Sequence, residues 1–176
     1  MRQSTATIQE AKSPLEIAAF GGLISEYAAW CRERYKGEPW LVEMAFGHQG
    51  LDAELRNLTN LYAPPNGRML IAEDAHEILG GVAYKRVDKQ TCEMKRMFVR
   101  TTANGRGLGR LLCLSLLQTA ARDGYNVMRL DTTRDMVEAI GLYRRFGFMD
   151  VAPFIEYPER MRPMTIFMER PLDDMA

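Results

Sequence analysis

The sequence predicts an α/β (α+β) fold: a mixed, mostly antiparallel central sheet with helices on both faces. Three observations point there. Residues 68–99 hold three strand-like runs in series, joined by short turns, which is the pattern of an antiparallel meander. Residues 92–148 then alternate strand, helix, strand, helix, which implies a crossover. A length of 176 residues suits one domain with a substantial core, so residues 1–176 are expected to form a single domain.

Composition excludes several classes. At 47% hydrophobic and 26% charged the chain reads as an ordinary soluble globular protein. The formal net charge of zero gives neither nucleic acid nor an anionic membrane a reason to bind. Residues 1–12 are polar and mixed, with no apolar core of a secretory signal. No apolar run approaches the roughly 20 residues of a membrane span. Cys31, Cys92 and Cys113 are odd in number and widely spaced, so they read as reduced core thiols rather than metal ligands. A cytoplasmic protein without a metal is expected.

The elements follow in order. Thr5 to Ala11 is a first strand. Ser13-Pro14 starts a helix, as N-cap and first-turn proline, and that helix runs towards Cys31. Residues 36–50 carry Gly37, Pro39, Gly47 and Gly50 and read mostly as loop, with a short turn at 40–46. Leu51 to Leu61 has helical spacing at Leu51, Leu55 and Leu58. Ala63-Pro64-Pro65-Asn66-Gly67 stops it. Strands are expected at Arg68–Glu73, Ile78–Arg86 and Cys92–Val99, with turns at Asp74–Glu77 and Asp88-Lys89.

Leu108 to Arg122 is apolar nearly all round, save the row of Arg110, Gln118 and Arg122, and should be largely buried. Gly124 closes it. Val127 to Asp131 alternates as a strand. Asp135 and Glu138 form an N-terminal capping pair for a helix that runs to about Phe146, with Gly147 as C-terminal cap and Phe148 as the apolar residue after it. Pro153, Pro158 and Pro163 make residues 150–163 irregular, and Thr165 to Glu169 is a last strand.

The chemistry is written in residues 91–122. A strand there leads into a corner with Gly105, Gly107 and Gly109, and the corner opens a long helix. Glycines at alternate positions free the backbone to bend and expose its amides. The helix start points N–H groups and a positive dipole end at whatever sits there. Arg106 and Arg110 add two cations. The corner therefore reads as a phosphate site built mainly by backbone. A Walker-type loop would need Lys-Ser/Thr after the glycines, and Arg110-Leu111 stands there instead. A dinucleotide loop would need a third glycine where Arg110 or Leu112 stands, although Asp131 lies at a plausible distance for a ribose-binding acid.

The run Met97-Phe98-Val99, then Asn104-Gly105-Arg106-Gly107-Leu108-Gly109-Arg110, resembles the acyl-coenzyme A loop of the GNAT N-acetyltransferases, whose signature is Gln/Arg-x-x-Gly-x-Gly/Ala after a strand. Asn104 stands where that family usually has Gln or Arg. A second run, Ala139-Ile140-x-Leu142-Tyr143-x-x-x-Gly147-Phe148, is similar to another motif of the same family. Met136 stands where the family often has Asn.

The resemblance implies the GNAT fold, acetyl-coenzyme A as cosubstrate, and a cofactor-binding set of Met97, Phe98, Val99, Asn104, Gly105, Arg106, Gly107, Leu108, Gly109, Arg110 and Ala139. It implies Tyr143 as the general acid that protonates the departing thiolate. Backbone amides at Met97 and Val99 would face the acetyl group. It also places residues 30–62 over the acceptor, and a homodimer is compatible with it.

Acetyl transfer to an amine also needs the amine to lose a proton, because a lysine-like amine has a pKa of about 10. Glu93 stands six residues before Val99 on a strand expected to be central, the spacing at which the histone-acetyltransferase branch of the GNAT family places its base glutamate, so the resemblance makes it the candidate base. The alternative is a structural ion pair with Lys95, Arg96 or Arg86, or proton loss through water. His48 and His76 read as loop and turn residues. The expected function is transfer of acetyl from acetyl-CoA to a primary amine of a small molecule or amino-acid-like acceptor. A protein or peptide acceptor, and a non-catalytic acyl-CoA sensor, are the other readings.

Overall fold

The computed structural model describes residues 6–47, 50–75 and 77–175. His48 and His76, and Thr5 at the start of the expected first strand, lie outside the described residues. Seven strands form one sheet in the order β1-β2-β3-β4-β5-β7-β6, where β1 is Thr7–Glu10, β2 Gly67–Asp74, β3 Glu77–Arg86, β4 Thr91–Val99, β5 Val127–Thr133, β6 Met149–Asp150 and β7 Thr165–Pro171. All neighbours are antiparallel except β4 and β5. A parallel pair needs a crossover. Here the connection carries α5, Leu108–Arg122.

The expected mixed sheet with helices on both faces is what the structure shows. On one face α5 buries Leu112, Leu116 and Leu117 against Val82, Tyr84 and Met94. Each such leucine is worth roughly 2 kcal/mol of burial. On the other face lies α1, Pro14–Arg34, whose Phe20 and Ile24 pack on Met69, Ile71 and Ala83. Phe20 comes so close that a Cβ on Gly81 would stand 2.9 Å from its ring, which requires glycine there. The α1 start is as expected: Ser13 Oγ accepts the Glu16 amide at 3.2 Å and the Glu16 carboxylate accepts the Ser13 amide at 2.8 Å.

Several boundaries move. Residues 39–47, expected to be mostly loop, form α2 (Pro39–Val42) running into a π-helical turn (Glu43–Gly47). Leu41, Val42 and Phe46 are buried there, so packing overrides the Gly and Pro punctuation. The single helix expected over 51–61 is broken into α3 (Leu51–Leu55) and α4 (Leu58–Tyr62), because Asn57 leaves helical geometry at φ −133°.

The last helix, α6, is Val137–Arg145 with Met136 as its N-cap. Asp135 therefore is no cap. The Met136 amide instead bonds the Thr133 carbonyl, so Arg134 and Asp135 are spent in a turn. Leu111 on α5 is 37% exposed, which narrows the buried face expected of that helix. The short β6 was not expected and pairs with β7 at the sheet edge. Among the described residues no helix is long and apolar enough to cross a membrane.

Candidate active site

The glycine corner forms as the sequence implies. After β4 a 3-10 turn, Thr101–Ala103, buries Ala103 and swings the chain outward. Gly105 and Gly107 then take φ of +78° and +77°, the left-handed region that only glycine adopts readily. A Cβ on either would meet no other atom within 4 Å, so their outer side is open space. Gly107 is the N-cap of α5 and no side chain caps the helix, which leaves its first-turn amides for a ligand.

Arg106 does not lie over the corner as a loose cation. Its guanidinium donates to the Asp74 carboxylate at the end of β2. Asn104 and Arg110 are exposed beside the corner. The cradle is thus made chiefly of amides. A Cβ on Gly109 would touch Leu142 Cδ2 at 3.6 Å, where α5 and α6 approach.

The second feature is a splay in the sheet. β4 and β5 pair only at Thr91–Val127, Cys92–Met128 and Glu93–Arg129. Beyond that point the two strands diverge, and residues 94–97 and 130–133 become opposite walls of a cavity of about 120 Å³. The register of β4 on β3 also slips here, since Gly81 faces Phe98 but Ala83 faces Lys95. Arg96 and Met97 together oppose Val82, a β-bulge, and Arg96 takes φ +57°. Met97 lines the cavity. Phe98 turns to the other face and packs on Tyr27 at 5.5 Å. Val99 backs onto Gly80, whose added Cβ would stand 2.8 Å from the Phe98 carbonyl oxygen.

Tyr143 lines the same cavity. It is 7% exposed, and burial, with Cys113 and Asp131 nearby, pushes its phenol well above its ordinary pKa. It therefore holds its proton at neutral pH. Ala139, one turn earlier, packs between the two halves of the core. Met136 is buried in the cavity wall.

Glu93 is buried at 1% exposure and ion-paired; Arg129 bonds Oε2, while Oε1 meets cations but accepts no hydrogen bond among the described residues. Lys95 Nζ lies 2.6 Å from it, the Arg129 guanidinium donates at 3.2 Å, and Lys85 Nζ stands 3.9 Å away. The pairing with Lys95 is one the sequence allowed; Arg129 takes the place expected of Arg96 or Arg86. Glu93 does not line the Tyr143 cavity. It lines a neighbouring polar cavity of about 430 Å³ together with Glu54 and Lys85, and Lys95, Arg96 and Tyr157 face both.

The carboxylate that shares Tyr143's cavity is Asp131. The sequence offered it as a ribose acid beside the glycine corner. The structure instead places it at the splay, where Lys95 Nζ donates to Oδ1 at 3.0 Å and Tyr157 Oη donates to Oδ2 at 2.7 Å. Burial alone would raise the Asp131 carboxyl, but Lys95 and Tyr157 outweigh it and hold its pKa below the ordinary value. Burial alone would likewise lower Lys95, and Asp131 and Glu93 outweigh that, holding the ammonium protonated.

Lys95, Arg96, Tyr27 and Tyr157 were not legible as site residues. The alternation Glu93-x-Lys95 does place both on one strand face. Nothing in the proline-flanked segment around Tyr157 announces its contact.

A family model described as the acetyltransferase (GNAT) family matches residues 23–148. An uncharacterised N-acetyltransferase of Schizosaccharomyces pombe is 34% identical over 160 residues, covering 90% of this chain and 91% of that one. The IAA acetyltransferase of Azospirillum brasilense is 36% identical over 124 residues, covering 68% of this chain and 79% of its own. The PaiA N-acetyltransferase of Thermoplasma acidophilum, solved in complex with coenzyme A, matches with a TM-score of 0.68 at 18% identity, covering 95% of this chain and 99% of that one. At that identity the likeness is one of fold.

Proposed function

Because the chain belongs to the GNAT acetyltransferase family and is an acetyl-CoA-dependent acyltransferase, we propose that it acetylates a primary amine of a small molecule or amino-acid-like acceptor. The observation that carries this reading is the splay between β4 and β5, with Tyr143 in the cavity behind it, together with the amide corner that follows β4 in the chain. That arrangement fits coenzyme A. The open side of Gly105 and Gly107 takes the pyrophosphate on amides, with Asn104, Leu108, Gly109 and Arg110 around it. The unpaired edges of β4 and β5 take the pantetheine arm by backbone hydrogen bonds, and Met97, Phe98, Val99 and Ala139 flank its end. Arg106 belongs to this set through the Asp74 contact that fixes the loop.

In the reaction the acceptor nitrogen attacks the thioester carbonyl, forming the C–N bond. Bulge amides at Met97 receive the developing oxyanion. The C–S bond breaks and Tyr143 Oη gives its proton to the thiolate. The amine proton leaves towards carboxylate. Asp131 faces the acceptor and takes the amine proton; Lys95 gives one of its own protons to Glu93 as it takes that proton from Asp131, so Lys95 and Asp131 end as they began and Glu93 ends protonated. One sheet running from β1 to β7 supports reading residues 1–176 as one acetyltransferase domain.

The test is calorimetric titration with acetyl-CoA and, in parallel, with a nicotinamide dinucleotide. A panel of primary amines, amino acids and short peptides then follows, with products weighed by mass spectrometry. Binding of acetyl-CoA and acetylation of a small amine is the expected result. Acetylated peptides alone would move the acceptor class. Tight binding without turnover on any acceptor would make the protein a sensor.

A further inference from the structure

Arg96 is a non-glycine residue held at φ +57°, a backbone state that costs an arginine roughly 1–2 kcal/mol. Something must hold it there. Its guanidinium makes a bidentate bond to Glu54 on α3, with Nε donating at 2.9 Å and Nη2 at 2.5 Å. Its Cζ lies over the Phe46 ring, 5.1 Å from the ring centre. Glu54 is fixed in turn by the Tyr62 hydroxyl, which donates to it at 2.6 Å. The pair is buried, at 7% and 6% side-chain exposure. Burial alone would raise the Glu54 carboxyl, and Arg96 outweighs it, so the pair stays ionised.

We propose that Glu54 is a positioning residue for acetyl recognition: by gripping Arg96 it holds the β4 bulge, and with it the backbone amides that face the thioester carbonyl. This rests on the proposed acetyl-CoA site and names what sets its geometry. The grip comes from the short helices over the acceptor side, so the acceptor wall and the carbonyl-binding backbone are one mechanical unit. A bulge normally takes its left-handed residue as glycine, which needs no grip. This chain uses an arginine and a remote carboxylate instead.

The experiment compares affinities for acetyl-CoA and for CoA, which differ only in the acetyl group. Calorimetry is run on wild type, Glu54→Ala, Arg96→Gly, Arg96→Ala and the two double variants. Arg96→Gly should keep the wild-type preference for acetyl-CoA within about twofold, since glycine adopts the bulge unaided. Arg96→Ala, which removes the same charge but strains the bulge, should lose about five- to tenfold of acetyl-CoA affinity, with CoA affinity unchanged. Glu54→Ala should lose a similar amount, rescued by Arg96→Gly and not by Arg96→Ala.

If Glu54→Ala fails to fold, Glu54→Gln, which keeps the shape and loses the charge, takes its place beside the Arg96→Gly and Arg96→Ala pair and should lose acetyl-CoA affinity with CoA affinity unchanged. Equal behaviour of the two Arg96 variants, or equal loss of CoA and acetyl-CoA affinity, would overturn the proposal. Absence of binding of both ligands to wild type would overturn the acetyl-CoA reading itself.

Discussion

The Phe148 amide donates to the Tyr143 carbonyl at 3.1 Å while the two rings meet edge to face at 5.7 Å. With the Gly147 amide on the Arg144 carbonyl at 3.0 Å, this is a Schellman closure of α6. The closure is made on the backbone of the residue whose phenol is proposed to protonate the thiolate. Gly147 sits at φ +84°, and a Cβ there would press on Arg170 Nε at 3.1 Å. Gly147→Ala should therefore lose about 1–2 kcal/mol of stability, read as a lower urea midpoint at unchanged slope.

Tyr143→Phe should keep acetyl-CoA affinity within about twofold and lower kcat about 100-fold, the size of one general acid. The raised phenol pKa sets the pH dependence. Its stabilising effect is complete below the ordinary tyrosine value of about 10 and is lost only as pH rises through the higher folded value. The wild-type kcat profile should show no tyrosine limb up to about pH 10.

Gly107→Ala adds a methyl group where no protein atom stands nearby, at a backbone angle alanine disfavours. Acetyl-CoA and CoA affinities should fall together by about tenfold. The melting temperature should drop by only a few degrees. A loss confined to acetyl-CoA would contradict a phosphate role for this corner.

Asp131 is held ionised by Lys95 and Tyr157, so its folded pKa lies below the unfolded one. The stability it contributes is present above the ordinary carboxylate value of about 3.9 and is lost as pH falls through the lower folded value. Asp131→Asn should flatten the acid side of the stability profile. Glu93→Gln strips a buried carboxylate from between Lys95 and Arg129 and should cost about 3 kcal/mol. If the Asp131–Lys95–Glu93 chain carries the amine proton, both variants lower kcat/KM most at low pH.

Burial pushes the Cys31 thiol up to about 11 and the Cys113 thiol up to about 12, and raises Cys92 further. At pH 8 none is appreciably thiolate. A disulfide reagent should label none of the three within minutes in the native state, and all three in denaturant. Cys31 lines the Tyr143 cavity, so what slow labelling it shows should fall further with acetyl-CoA present.

What the chain disclosed on reading was local. The Ser13 N-cap with Pro14, the glycines of the corner and the Gly147-Phe148 helix end follow rules that span a few residues, and each is where those rules place it. What stayed hidden depends on distance. Glu54 finds Arg96 across 42 positions, Lys95 finds Asp131 across 36, and Tyr157 reaches Asp131 across 26. No periodicity encodes such meetings. The helix at 39–47 was missed for the same reason: its apolar residues are helical because of what covers them. Asp135 shows the opposite failure, a good local cap signal spent on a turn.

The gap between β4 and β5 has a consequence for how the protein rests between turnovers. Three ladder positions join these strands, and the rest of their facing edges end on a crevice. A pantetheine arm laid there would act as an eighth strand borrowed from solution. The sheet is then whole only while cosubstrate is held, and every departure of product reopens a seam through the middle of the molecule. Amide exchange at 94–97 and 130–133 should beat in time with that loan, fast in the empty protein and slow in the loaded one.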